Sequence, residues 1–405
     1  MEGVDQIFVI AKHWITAWSF WPNALRPFVS ILLSIVPIIG LFALAFGITT
    51  VVERKALGRV QNRYGPNRVG IPLTKIRLAG FGQFMADGIK MLIKEDIVPF
   101  SADKVVHYLA PLALAIPVWL TFAVIPFGRN MSAIDLDAGL LFFFALGAGS
   151  ELAVFMAGWS SRNKYALVGA MRGIAQMISY EIPLVLSTVA VVMMVGSLSL
   201  NEIVRAQSSY SLGFIPHWHV FTPWGFAAFV LFMIAACAET NRAPFDLPEA
   251  ESEIIAGYLT EYSGFKYALF FLGEYMGLFA ITGFAVTLFL GGWTAPLPFL
   301  NVVPSWIWFF LKFATLIAFF IWVRATVPRL RMDQLMKLAW KFLVPLTLIN
   351  LLVAALWHFT GAWVFTGALA VRWVICAAII GGAYVALGRV LHTNQFPTRT
   401  YRYAE

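Results

Sequence analysis

Long runs of apolar residues, each about the length of a membrane-crossing helix, dominate this chain, and acidic side chains sit inside several of them. Glu151, Glu181 and Glu274 each lie within such a run, and Glu239 closes another. An ionised carboxylate in hydrocarbon is expensive, by roughly several kcal/mol, unless it is protonated, paired or hydrated. Acids so placed read as a route for ions or protons, or as a gate coupled to one.

The chain has 405 residues, 60% of them hydrophobic, with a mean hydropathy of +0.78. Only 12% are charged, about half the usual share of a soluble domain. A water-soluble fold has too little interior for that pattern, so the reading is an integral membrane protein. Cys237 and Cys376 stand far apart in apolar runs with no CxxC pattern. Neither an iron–sulfur cluster nor a metal site is signalled, and both cysteines read as small core residues. No nucleotide-binding glycine fingerprint or phosphate loop stands out. The first apolar run begins near residue 28 and lacks a signal-peptide cleavage pattern.

The predicted fold is all-α and polytopic, with about nine transmembrane helices at 28–50, 104–126, 138–158, 171–197, 223–239, 266–291, 305–325, 342–358 and 371–388. At about 1.5 Å per residue such runs cross a core of roughly 30 Å, the longer ones with tilt. The shortest, 223–239, reads as a pore-side or partly interfacial helix, and 5–20, rich in tryptophan, as a helix lying at the interface. Of the 29 basic residues, only Lys12, Arg26, Arg129, Arg205 and Arg372 fall on one side, with Lys312 inside a span and the rest on the other. The positive-inside rule then puts the amino terminus outside and the carboxyl terminus in the cytoplasm. The net charge of +8 is explained by this topology, and no nucleic-acid partner is needed. Three regions follow: an interfacial segment 1–27, a membrane domain 28–340, and extra helices with a cytoplasmic tail over 341–405.

Two cytoplasmic loops are too elaborate for simple turns. In 51–103, Gly65-Pro66-Asn67 marks a turn, and a helix over 80–94 puts Asp87, Lys90 and Lys94 near one another. Glu53, Arg54 and Lys55 close a span, and Arg59, Arg63 and Arg68 follow. They read either as interface anchors and lipid-phosphate ligands or as a docking site for a peripheral protein. The loop 239–265 opposes the basic bias around it: Glu239, Asp246, Glu249, Glu251, Glu253 and Glu261 face Arg242 alone. Beyond Pro248 a helix can restart, with Glu249 and Glu253 on one face, and Tyr258 and Tyr262 stand four apart. This mixture beside apolar helix ends suits a polar mouth on a lipid-accessible pocket. A quinone fits it, having an apolar tail and a headgroup that needs one or two donors, but so do other lipids. Glu181 stands between Tyr180 and Pro183, where the proline frees a carbonyl. Helix breaks of this kind line cavities. Glu151, Glu274 and Lys312 have no partner nearby in sequence, so any pairing runs between helices.

The segments VERKALGRVQNRYGPNRVG (52–70), ADGIKMLIKED (86–96), KYALVGAMRGIAQMISYE (164–181) and AETNRAPFDLPEAESEIIAGYLTEYSG (238–264) closely resemble the quinone-chamber membrane component of respiratory complex I. In bacteria this is the H subunit of NADH:quinone oxidoreductase; in mitochondria it is subunit 1. The resemblance covers about residues 28 to 340. It implies a bacterial inner-membrane, multi-pass component of a proton-translocating oxidoreductase (a translocase), without a redox centre and inactive alone. It implies quinone as substrate and no tightly bound cofactor, flavin and iron–sulfur clusters belonging to partner subunits. The implied partners are the quinone-site subunits of the peripheral arm, the small and antiporter-like membrane subunits, and lipids. By motif position, Glu53, Arg54, Arg59, Arg63, Arg68, Asp87, Lys90, Glu95, Arg242 and Tyr262 fall on the quinone path or arm-docking surface. Asp246, Glu249, Glu251 and Glu253 join Glu151, Glu181 and Glu239 as proton-coupling groups. Departures from the family pattern are Ala250 in place of glycine, Tyr64 before Gly65, and Arg162 in the loop before Lys164; none removes a carboxylate.

Two other classes compete. A secondary transporter predicts internal repeats with paired broken helices, and no repeat between the halves is evident. A plain anchor for a peripheral domain explains the basic loops but leaves the membrane acids without a purpose.

Overall fold

The computed structural model describes residues 6–17, 22, 25–70, 77, 79–211, 214–248, 255–362 and 368–393. Its elements are α1 (Ile7–Ala17), α2 (Arg26–Val60), α3 (Gln83–Ile93), α4 (Lys104–Thr121), α5 (Gly139–Gly147), α6 (Gly149–Ser160), α7 (Lys164–Val195) and α8 (Leu200–Ala206). They are followed by a two-stranded hairpin, β1 (Tyr210–Ser211) and β2 (Ile215–Pro216), then α9 (Pro223–Glu239), α10 (Gly264–Phe289), α11 (Ser305–Thr326), α12 (Met332–Leu338), α13 (Val344–Phe359) and α14 (Ala368–Thr393). The hairpin is antiparallel with Tyr210 opposite Pro216.

The protein is an all-α, polytopic membrane protein. Among the described residues, 8 helices are long and apolar enough to cross a membrane, α5 with α6 forming one and α12 to α13 another. The expectation of nine counted α9 as well; it spans 17 residues and is the shorter apolar helix. The Asn163 side chain accepts from the Tyr165 amide to start α7, and Gly196, at φ 78, ends it. Thr222 caps α9 through the Gly225 amide, with Pro223 in the first turn. Pro183 sits inside α7 without ending it. Between α12 and α13, residues Ala339–Leu343 form one π-helical turn, a local insertion that often marks a functional site.

Small residues let helices approach closely, as is usual where lipid offers no hydrophobic drive. Ala153, Ala157 and Ala170 are fully or almost fully buried where α4, α6 and α7 pack. The larger core is aromatic, with Phe232, Phe279, Phe284, Phe289 and Phe309 buried between α9, α10 and α11. Helix α9 therefore lies inside the bundle, packed on α7, α13 and α10. Helices α2 and α14 lie at its edge with most of their apolar surface uncovered.

Candidate functional site

Polar groups converge at the junction of α2, α9, α10 and α11. Glu53, on α2, is 3% exposed and accepts from three donors: Arg242 Nη1 at 3.1 Å, Tyr275 Oη at 2.7 Å, and Arg324. Arg242 also lies over the Tyr275 ring, 3.9 Å from its centroid. Burial works against the charge of Arg242, but Tyr275 and the Glu53 carboxylate more than offset it and raise its pKa above the usual guanidinium value. A buried pair of this kind persists only with hydrogen bonds to support it; the carboxylate has all three of its donors, while Arg242 keeps one buried nitrogen, Nη2, without an acceptor. The loop carrying Arg242 is stapled to α7 by Gln176, whose amide donates to Ala238 O at 2.8 Å, Phe245 O at 2.6 Å and Asn241 Oδ1 at 3.2 Å. Asp246 pairs with Arg329 at 3.4 Å, which ties the same loop to the segment between α11 and α12.

From this node a polar file runs into the bundle. Asn241, Arg242, Asp246, Glu274 and Arg324 line one small cavity. Asn241 and Glu274 also line a second cavity of about 80 Å³, with Glu181, Glu239, Thr240 and Tyr258. That volume is large enough for several waters; most of its wall is apolar, and Glu181, Glu239, Asn241, Tyr258 and Glu274 are among the polar groups a water there could meet. The Glu274 carboxylate accepts from Tyr258 Oη at 2.9 Å. The carboxyl of Glu151 faces that of Glu181 within hydrogen-bonding reach, and Glu239 lies close enough to feel both. Glu151 and Glu239 each keep a buried carboxyl oxygen that meets no donor. Buried oxygens left without a donor are suited to gaining a proton or a water, and that of Glu239 belongs to a residue lining the cavity.

Glu53, Arg242, Glu239, Glu181 and Glu151 are thus gathered, and Asp246 stands at the entrance. Arg54 pairs across to Asp87 at 2.5 Å, and Gln83, one turn earlier in α3, also donates to Asp87; Asp87 is held by these two in place of Lys90 and Lys94. Arg59, lying over the Tyr64 ring, and Arg63, Arg68 and Lys90 are exposed and lie away from the two cavities. Tyr262 is elsewhere: its hydroxyl meets Ser160 Oγ at 3.3 Å and its ring stacks on His107 at 4.0 Å. Burial pushes its phenol up to about 12, the Ser160 hydrogen bond working the other way. Glu249, Glu251 and Glu253 fall outside the described residues. The sequence-derived site set omitted Glu274, Tyr258, Tyr275, Asn241, Gln176 and Arg324. Glu274 carried a signal as a carboxylate within an apolar run, and Tyr258 as one of two tyrosines four apart beside the acidic loop. Among the described residues, no group of three His, Cys, Asp or Glu side chains is placed to hold a metal ion.

The NADH dehydrogenase family model matches residues 33–355. The NADH-quinone oxidoreductase H subunit of Dehalococcoides mccartyi (strain CBDB1) is 53% identical over 75% of this chain and 80% of its own length. The corresponding protein of Geobacillus sp. (strain WCH70) is 48% identical over 75% of this chain and 86% of its own. That of Bacillus mycoides (strain KBAB4) is 45% identical over 84% and 96% respectively.

Proposed function

The chain belongs to the NADH dehydrogenase family that includes the H subunits of bacterial NADH-quinone oxidoreductases, and from that membership we propose that it forms the inner quinone chamber of such an oxidoreductase and carries quinone reduction into proton transfer. It is a multi-pass protein of the bacterial inner membrane and a component without a redox centre of its own, inactive outside its complex. The amino terminus faces outward and α9 counts as a ninth span. Residues 28–340 are the quinone-chamber domain, and 341–405 add α13, packed on α7 and α9, and α14 at the edge. Peripheral-arm subunits dock on the cytoplasmic loops that carry Arg59, Arg63, Arg68, Lys90, Glu249, Glu251 and Glu253. Flavin and iron–sulfur clusters belong to those partners, and small and antiporter-like subunits continue the membrane arm.

The observation that carries this reading is the continuity of the polar file. Glu274 and Asn241 each line both cavities, so Arg242 and Arg324, the partners of Glu53, are joined to Glu239 and Glu181, and Glu181 in turn faces Glu151. Two-electron reduction leaves a negatively charged quinone near the node. That charge competes with Glu53 for Arg242 and Arg324, and a carboxylate losing its cations takes up a proton. Glu274 and the cavity pass the disturbance on to Glu239, Glu181 and Glu151. Neighbouring acids cannot all ionise cheaply, so the group titrates as a unit with alternative proton positions. Tyr258 orients the Glu274 carboxyl, and Gln176 fixes the loop that sets the distance between node and file.

Glu181→Gln in the intact complex should lower proton pumping and quinone-linked turnover together by about tenfold or more. Oxidation of NADH by an artificial acceptor at the peripheral arm should stay as in the wild type. Wild-type pumping per electron at wild-type turnover would refute the relay.

A further inference from the structure

At the end of the bundle opposite the Glu53 node, a separate cavity of about 150 Å³ lies between the loop after α4, the helix α8 and the loop after α10. Its walls include Arg129, Ser132, Asp135, Asn201, Arg205 and Trp293. Arg129 and Arg205 are exposed, and neither guanidinium lies within ion-pair distance of a carboxylate among the described residues. They are two of the few basic residues on this side of the chain, where the positive-inside bias disfavours them. The sequence separates them widely; the fold brings them to one cleft.

The cleft is built rather than incidental. Asn201, 8% exposed, donates to Ser132 Oγ at 3.3 Å and fixes one wall. Ser199 Oγ donates to Asp135 Oδ1 at 3.4 Å. The Arg129 amide donates to Ser305 Oγ at 3.0 Å, which anchors its loop to the start of α11. Gly292 lies so close to Val204 that a Cβ there would come within 2.6 Å of it, so the loop after α10 is pressed against α8. Trp293, 8% exposed, closes the inner wall. Ile134, between Ser132 and Asp135 in the chain, is 51% exposed and offers apolar surface at the rim.

We infer that this cleft binds the headgroup of an anionic phospholipid, its phosphodiester held by Arg129 and Arg205. Two guanidinium forks match the oxygens of a phosphate and make charge-assisted hydrogen bonds to it. Asp135 sets the class more narrowly: its carboxylate repels a second negative charge and accepts from a hydroxyl beyond the phosphate. A phosphodiester with a single charge and a glycerol headgroup meets both conditions, and Ile134 receives the start of an acyl chain. This inference does not depend on the quinone reading.

The test is native mass spectrometry of the full-length chain in mild detergent, titrated separately with phosphatidylglycerol, phosphatidylcholine and inorganic phosphate. The wild type should hold one phosphatidylglycerol more tightly than the rest, and phosphatidylcholine, which lacks the donor, more weakly. Arg129→Gln with Arg205→Gln should weaken the tight adduct by about tenfold or more, while Arg129→Lys retains most of it. If the double variant does not accumulate, the two single Gln variants should each weaken the adduct several-fold. Equal binding by wild type and Gln variants would overturn the site. Displacement of the lipid by inorganic phosphate at equal concentration would overturn the lipid as its occupant.

Discussion

Buried charge is handled in opposite ways at the two ends of this bundle. At the end bearing residues 290–294, the Lys312 ammonium donates to Leu290 O at 2.7 Å, Gly292 O at 2.9 Å and Thr294 O at 2.7 Å, and lies 4.0 Å from the Trp218 ring centroid. An ammonium has three protons, so nothing remains for a moving partner. The carbonyls belong to the residues that end α10 and the loop beyond it, where cations are favoured. Gly291 and Gly292, at φ 70 and 53, allow the turn that gathers them. In the interior file the carboxyls of Glu151 and Glu239 are under-coordinated, and Glu181, Glu239 and Glu274 share a cavity whose remaining wall is mostly apolar. The same cost of burying charge produces a lock where every hydrogen bond is made, and a group open to exchange where some are left unmade.

The largest effect that would sharpen this contrast comes from its junction. Arg242→Gln leaves Glu53 with one fewer cation in a buried site, which costs about 3–5 kcal/mol. We expect little assembled complex, measured as the content of this chain in native gels, with partial recovery in Arg242→Lys. Normal assembly and activity in Arg242→Gln would break the claim that the node is structural as well as coupled. Next in size is Lys312→Met, which strands three carbonyls and should lower stability by about 2–4 kcal/mol. Its thermal midpoint should fall while pumping and turnover per assembled complex stay at wild-type values. A loss of pumping at normal stability would instead place Lys312 in the relay.

The smallest effect concerns His219, which lies at the locked end outside the spans. Burial lowers its pKa from 6.5 to about 4, so the folded protein keeps it neutral where the unfolded chain is protonated. Its contribution to stability is fully present above about pH 6.5 and is lost as pH falls toward about 4. His219→Gln should therefore flatten the fall of the thermal midpoint between neutral and mildly acid pH. An unchanged slope would show that other groups set it.

Much of the architecture was legible in the sequence, because an apolar run of helical length has few alternatives in a membrane. The caps at Asn163, Gly196 and Thr222 also follow local rules. The candidate site was legible only as separate acids. Glu53 and Arg242 are 189 residues apart, and Glu53 and Arg324 are 271 apart; no spacing rule reaches that far. The role of Lys312 depends on carbonyls presented by a distant turn, which no side-chain pattern reveals. Exposed i,i+3 and i,i+4 pairs are worth only tenths of a kcal/mol, so Asp87 turns from Lys90 to Arg54 on α2, with Gln83 one turn earlier in its own helix as a second donor. Tyr258 and Tyr262 look equivalent in sequence, but the short 3₁₀ turn Gly257–Leu259 sends one to Glu274 and the other to Ser160.

The central claim, that the carboxyl file changes protonation when quinone is reduced, is most directly tested by infrared difference spectroscopy of the intact complex. Reduction should change the carbonyl stretch of protonated carboxyl groups, and Glu239→Gln should remove part of that signal while quinone and cluster bands persist. A difference spectrum without carboxyl bands, or one left untouched by Gln at Glu151, Glu181, Glu239 and Glu274 in turn, would contradict it.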